Sequence, residues 1–315
     1  MAGWIEIRAK GPARSRDAVS AALIEAGSPG VLEEADEGAA GKLVSYSRWE
    51  DETREEPPSK SPEAALRAYL NEGEMAKLKD IRRKLGSVGW KLTTSTLKET
   101  DWSEKWKKGL RPVRVSYKGR SVLVRPTWKR SPKRPGEKII EIDPGMAFGT
   151  GGHATTKMCL RALLRLVIDR KLPANPDFLD VGTGTGVLAI AAKKLGFRKA
   201  VGLEIDEVAV KVARKNAMHN RVKVALSSRL VERTRGRFHL VAANILAGEL
   251  KRLSPELAGR VSPGGRLILS GILQHEKDEV IRAYPGLVLE KAYSSKEWVA
   301  LVFRKPLKAI DEKVL

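Results

Sequence analysis

Phe178-Leu179-Asp180-Val181-Gly182-Thr183-Gly184-Thr185-Gly186-Val187-Leu188-Ala189-Ile190-Ala191-Ala192 decides the fold. The first four residues read as a buried strand, the glycines at every second position permit a tight turn, and the apolar run behind them reads as a helix packed on a sheet. Outward from this stretch the pattern repeats. Ala200-Val201-Gly202-Leu203-Glu204 is the next strand, and a helix follows from about Glu207 to Ala217. Leu240-Val241-Ala242-Ala243-Asn244 and Arg266-Leu267-Ile268-Leu269-Ser270 are two more strands. Alternating strands and helices predict an α/β domain over residues 139–315, a doubly wound, mostly parallel sheet with its site at the C-terminal strand ends.

The spacing also bears on the ligand. Glycines at 182, 184 and 186 let a bound molecule lie against bare backbone at a helix N-terminus. The dinucleotide fingerprint G-x-G-x-x-G fails because position 187 is Val, and no G-x-x-x-x-G-K-[ST] phosphate cradle occurs. Glu204 ends the next strand, where a carboxylate can accept hydrogen bonds from both hydroxyls of a ribose. A nucleoside without a pyrophosphate is expected, and S-adenosylmethionine meets both conditions. Asp180, Gly182, Gly184 and Glu204 are its expected binding residues.

Two further segments belong with this one. Asp143-Pro144-Gly145-Met146-Ala147-Phe148-Gly149-Thr150-Gly151-Gly152-His153-Ala154-Thr155-Thr156 is a long loop whose apolar residues argue for order, with a terminal Thr pair placed to cap a helix starting near Lys157. Asn244-Ile245-Leu246-Ala247 stands at a strand end, where the side-chain amide can accept a hydrogen bond from an amine. Standing alone it would read as a turn-forming Asn.

The chain has 315 residues, with 59 Lys and Arg against 38 Asp and Glu and a net charge of +21. Its 42% of apolar residues suffices for a core and excludes disorder throughout. A single cysteine, Cys159, excludes a disulfide framework and a multi-cysteine zinc site. His153, His219, His239 and His275 lack ligand-like spacing, so no metal is expected. His153 reads as a structural group of its loop, Cys159 as core, His219 and His275 as surface residues, and His239 has no evident partner. No stretch approaches the roughly 20 apolar residues that span a bilayer, and no apolar signal region opens the chain. A cytoplasmic protein without a membrane partner is expected.

Residues 1–98 read as a small α+β domain. Trp4 to Ala9 alternates like a strand, a helix from Ala18 to Ala26 closes at Gly27, and Gly30 to Glu33 is a short strand. Leu43 to Tyr46 follows as a strand, Ala76 to Leu85 as a helix ended by Gly86, and Trp90 to Thr94 as the last strand. The order β-α-β-β-α-β is ferredoxin-like. Residues 99–138 read as a basic linker with one strand, Ser121 to Arg125. Counted from Lys98, this stretch holds fourteen Lys and Arg against four Asp and Glu, with Trp102, Trp106 and Trp128 interleaved. Such a mixture fits a nucleic-acid partner, and equally a solvated linker whose tryptophans pack on a neighbouring domain.

Taken together, Asp143 to Thr156, Leu179 to Asp206, Asn244 to Ala247 and Pro263 to Leu273, with Asp101-Trp102-Ser103-Glu104-Lys105-Trp106, resemble the ribosomal protein L-11 methyltransferases (PrmA). The resemblance implies a class I, Rossmann-like S-adenosylmethionine-dependent enzyme that methylates lysine ε-amines and the N-terminal α-amine of a large-subunit ribosomal protein. It further implies an N-terminal domain that recognises the substrate and a linker that swings it over the catalytic domain. Carried over by motif, cofactor contacts fall on Thr156, Gly182, Glu204 and Asn244, Phe148, Gly149 and Thr150 line the site, and Asn244 orients the reacting amine. The chain departs from the family pattern in Glu204 for the usual Asp, Ala154 for Pro, Thr183 for a small or thiol residue, and in its charge. That charge keeps two other readings in view: an RNA methyltransferase, and a non-catalytic RNA-binding assembly factor. Contact with ribosomal RNA through the basic segment is compatible with all three.

Overall fold

The computed structural model describes residues 4–28, 31–34, 62–97, 110–143 and 151–307. The chain separates into two compact units, Met1–Leu110 and Arg111–Leu315.

In the first unit, strands β1 (Trp4–Pro12), β2 (Val31–Glu34), β3 (Glu63–Asn71) and β4 (Lys91–Leu97) form an antiparallel sheet in the order β2-β3-β1-β4, with helices α1 (Arg16–Glu25) and α2 (Leu78–Ser87). This is the expected ferredoxin-like order. The third strand, however, is Glu63–Asn71, while the expected strand at Leu43–Tyr46 lies outside the described residues. Glu63-Ala64-Ala65-Leu66-Arg67-Ala68-Tyr69-Leu70 is built of good helix formers, yet it supplies Leu66, Ala68 and Leu70 at period two to a core with Ile5, Ile7, Leu23 and Ile81. Burial of that face overrides local propensity. Helix α2 also runs past Gly86, and the left-handed residue of the following turn is Gly89 (φ +80°). Gly11 has its own reason: a Cβ there would overlap the Trp90 ring, whose Nε1–H donates to Ser15 Oγ at 2.9 Å.

The second unit begins at Arg111, so most of the expected linker is folded structure. Strands β5 (Val113–Tyr117), β6 (Arg120–Pro126) and β7 (Lys138–Ile142) make a three-stranded sheet, with β5 antiparallel and β7 parallel to β6. Val115, Val122, Val124, Ile140 and Ile142 pack in one cluster with Cys159, Leu160 and Leu163 of α3 (Ala154–Ile168). An apolar sheet face must be buried, and α3 is what covers it.

Seven strands form the main sheet: β8 (Asp177–Val181), β9 (Lys199–Leu203), β10 (Ala225–Ser227), β11 (Phe238–Asn244), β12 (Val261–Leu273), β13 (Val288–Ser295) and β14 (Trp298–Arg304), in the order β10-β9-β8-β11-β12-β14-β13. β14 alone runs antiparallel to both its neighbours. Along β11, Leu240 and Ala242 enter the cluster shared with α3 and α4 (Val187–Lys194), while Val241 and Ala243 enter the opposite cluster with α6 (Ala247–Arg252) and α7 (Ser254–Arg260). Both faces are therefore covered, as the continuous apolar runs of the strands require. Helix α5 (Glu207–His219) connects β9 to β10, and α8 (Lys277–Arg282) precedes β13. The strand order reverses beside β8, so the crevice between the C-terminal ends of β8 and β11 is the topological switch point. Among the described residues, no helix is long and apolar enough to cross a membrane.

Candidate active site

The loop after β8 sets the site. Gly182, Gly184 and Gly186 have φ of +73°, +51° and +83°, values that L side chains rarely adopt. The Gly182 and Thr183 amides both donate to the Leu203 carbonyl at 2.9 Å, and Gly186 N–H donates to Thr183 O at 2.8 Å. A Cβ at 182 would overlap Ile245 Cγ2, so the glycine turn and the Asn244-Ile245 turn close against each other. Gly186 caps α4 with no side-chain acceptor, and among the first-turn amides of that helix Ala189 N–H bonds back to the Asp180 carboxyl.

Glu204, at the end of β9, is held by one amide on each oxygen: Gly184 N–H to Oε2 at 3.0 Å and Asp206 N–H to Oε1 at 3.2 Å. A carboxylate has about four lone-pair directions. Each oxygen therefore keeps one for a vicinal hydroxyl, and the longer Glu arm is fixed in place by the loop it serves. Ile205, next in the chain, is 77% exposed, an aliphatic surface directly beside that carboxylate.

Asp180 lies beneath the loop and is buried. Its Oδ2 accepts from the Thr183 hydroxyl at 2.6 Å, and its Oδ1 has no hydrogen-bond partner. Thr183 thus has a structural use, and Gly202 makes room for it, since a Cβ there would come within 2.9 Å of Thr183 Oγ1. Burial pushes the Asp180 carboxyl up to about 7 from its ordinary 3.8, and the Glu204 charge adds to the rise. Between about pH 4 and pH 7 the folded state then holds a proton that the unfolded chain has lost, so stability falls as pH rises through that window. The Asp180→Asn protein is expected to melt on the order of 5 °C above the parent at pH 8 and level with it at pH 4. Thermal unfolding across the pH range checks this, and parallel curves for the two proteins would contradict it.

Helix α3 enters from the other side. It starts at Ala154, three residues earlier than expected, because His153 is its N-cap, with Nδ1 accepting from Thr155 N–H at 3.4 Å. His153 is therefore structural, and its ring meets Trp298 edge-on with centroids 5.0 Å apart. Thr155 and Thr156 form the first turn. Thr156, 1% exposed, faces Asn244, whose Nδ2 lies 3.5 Å from its hydroxyl oxygen. Ser270 Oγ donates to Thr155 O at 3.4 Å, tying the turn to β12. The adjacent Gly271 (φ +85°) sits at a bulge against β14, and a Cβ there would overlap the Ile245 carbonyl. Gly271 thus admits the loop that carries Asn244.

Asp180, Gly182, Gly184, Glu204, Thr156 and Asn244 all converge on the switch point. Phe148, Gly149 and Thr150 lie outside the described residues, as do Trp102 and Trp106. Sequence reasoning missed Asn216 and Asn220 of the α5 segment. Asn216 Nδ2 donates to Thr185 O at 3.0 Å and its Oδ1 accepts from Asp143 N–H at 2.9 Å. Asn220 Oδ1 accepts from Glu141 N–H at 2.9 Å. These two buried amides fasten the glycine turn to the end of β7, where the 144–150 segment begins. His239 does have a partner, its Nδ1 accepting from Asp177 N–H at 3.0 Å, and His219 Nε2 lies 3.3 Å from Glu141. Cys159 is core, its thiol pushed by burial to about 12.

The chain is similar to known proteins. The sequence profile described as ribosomal protein L11 methyltransferase (PrmA) matches residues 3–306. A ribosomal protein L11 methyltransferase of Geobacter metallireducens is 36% identical over 96% of this chain and 98% of its own length. That of Citrifermentans bemidjiense is 47% identical over 68% of this chain and 70% of its own length. The crystal structure of a ribosomal protein L11 methylase from Lactobacillus delbrueckii subsp. bulgaricus superposes with a TM-score of 0.53 at 31% identity, covering 61% of this chain and 98% of that one. With a profile match over residues 3–306 and a relative 36% identical over 96% of the chain, the chain belongs to the ribosomal protein L11 methyltransferase (PrmA) family.

Proposed function

We propose that the protein N-methylates lysine ε-amines and the N-terminal α-amine of ribosomal protein L11, with Asn244 orienting the incoming amine. The chain is a methyltransferase of this family, S-adenosylmethionine is its cofactor, and L11 is its substrate. The donor set fits that cofactor. Glu204 offers two oriented oxygens to the ribose hydroxyls, Ile205 an apolar surface beside them, and Asp180 a carboxyl that ionises more readily next to a cation.

The cofactor supplies a sulfonium-bound methyl group. The amine nitrogen forms the new C–N bond as the C–S bond breaks, and the product amine then sheds a proton. The nitrogen must attack with a free lone pair. A lysine with pKa about 10.4 is neutral in roughly one part in 10³ at pH 7, a cost of about 4–5 kcal/mol, and an N-terminal amine near 7.7–8.0 costs far less. Removal of water from the amine lowers this cost, and an amide carbonyl that accepts one N–H directs the lone pair at the methyl carbon.

The single observation that carries the assignment is the placement of Asn244 at the end of β11, its amide within 3.5 Å of Thr156 and across the crevice from the glycine turn. With saturating cofactor, Asn244→Ala is expected to lower kcat about 10²-fold. Full turnover by the variant would remove Asn244 from the reaction. Mass spectrometry of the L11 product identifies the amines that carry methyl groups. The setting of this reading is the cytosol, and its further partner is ribosomal RNA, met by the basic middle segment.

A further inference from the structure

The described part of the basic segment, from residue 110 onward, is pinned down. Between β6 and β7, residues 127–137 fold back over the outer face of their own sheet, held by two arginines. Arg114 Nε donates to Glu137 Oε1 at 2.6 Å and its Nη2 to the Pro132 carbonyl at 3.0 Å. Arg125 Nη2 bonds Glu141 at 2.8 Å and its Nη1 reaches the Ser131 carbonyl at 3.4 Å. Glu137, 2% exposed, also accepts from Ser121 Oγ at 2.8 Å and Arg134 N–H at 3.1 Å. Burial alone would raise its carboxyl, but Arg114, the Arg134 amide and Ser121 together hold it below the usual carboxylate range. The clamp stays ionised at physiological pH.

This arrangement has an electrostatic consequence. Glu137 is the one carboxylate between Arg111 and Lys138, and it is buried and satisfied by the clamp. The loop it anchors presents Arg130, Lys133 and Arg134 to solvent, and none of these three forms an ion pair among the described residues. Trp128, 38% exposed, stands at the loop's start. The positive field continues past the loop's end. There Lys194 is held below the usual lysine range, first by burial and further by Lys138 and Arg221, with Glu141 opposing.

We propose that the clamped loop of residues 128–136 is a preformed docking surface for the phosphodiester backbone of RNA, with Trp128 as a stacking platform. The proposal rests on the ribosomal reading above and gives its RNA contact a location. Cations around a single exposed aromatic match RNA, whereas a protein partner of this size calls for an apolar centre, and Trp128 is the only large exposed apolar residue described between 110 and 143. A clamped loop also loses little conformational freedom on binding.

Binding of labelled single-stranded RNA to the full chain, read by fluorescence anisotropy over a salt series, tests this. The combined variant Arg130→Glu, Lys133→Glu, Arg134→Glu is expected to bind roughly tenfold or more weakly, with a salt slope reduced by about 2. It should methylate free L11 as the parent does. A second variant separates the clamp from the charge. Glu137→Gln makes the protein more positive, so attraction alone would tighten binding, yet loss of the clamp is expected to weaken it severalfold at a temperature where the variant remains folded. Unchanged affinity and slope in the triple variant, tighter binding by Glu137→Gln, or displacement of RNA by polyglutamate as readily as by unlabelled RNA would each overturn the proposal. If RNA binding responds as expected while neither parent nor variant methylates L11, the amine assignment fails and the docking surface stands.

Discussion

Gly182→Val is expected to abolish useful cofactor binding while leaving the sheet intact. Residue 182 has a φ of +73°, which costs an L side chain on the order of 1–2 kcal/mol. The new side chain also meets Ile245 Cγ2, and overpacking of that kind adds roughly 1–3 kcal/mol. Ile245 yields only by moving the turn that holds Asn244, so both walls of the crevice shift together. If this strain falls on the bound state, affinity for S-adenosylhomocysteine drops on the order of 10²–10³-fold, since each 1.4 kcal/mol is about tenfold. Titration calorimetry measures it, with the melting temperature as a check on folding. A folded variant that binds within about threefold of the parent would show that the glycine turn does not define the site.

Glu204→Ala is the second large effect, and it acts differently. Two hydroxyl hydrogen bonds to a carboxylate are worth roughly 1.5–3 kcal/mol each, so KM for S-adenosylmethionine should rise on the order of 10²–10⁴-fold. Because ribose contacts are the same in the ground and transition states, kcat at saturation should change little. Glu204→Asp keeps the charge but shortens the arm that also accepts the Gly184 and Asp206 amides, and is expected to return KM to within about tenfold of the parent. A kcat loss with KM unchanged in Glu204→Ala would place this carboxylate in the chemistry rather than in ribose recognition.

The part of the site legible in the sequence is the part that is local in the chain. Asp180 through Gly186 and Glu204 follow from strand, turn and helix patterns within 25 residues, and the structure adds the bonds that fix their positions. Thr156 and Asn244 stand 88 residues apart and meet because α3 packs on β11 and its first turn is tied to β12, which sequence spacing does not encode. Resemblance to a family supplied that pairing. Two errors share one cause, the priority of burial over local composition. Glu63–Asn71, where the sequence pattern predicts no element, has the residues of a helix and becomes β3, and the charged stretch read as a linker with one strand puts its valines into a three-stranded sheet against α3. The Asn216 and Asn220 amides were findable. They lie four apart, and Asn216 continues the stripe of Ala209, Val210 and Ala213, where a polar residue must have a partner.

In the proposed reaction an amine of a ribosomal protein, not a base of RNA, receives the methyl group. Incubating the protein with ribosomal components and S-adenosylmethionine carrying a labelled methyl, then separating protein from RNA, tests it most directly, with Gly182→Val as the control. The account predicts label in L11, on lysine ε-amines or the N-terminus, and none with the control. Label in the RNA fraction that is lost with the same control would contradict it.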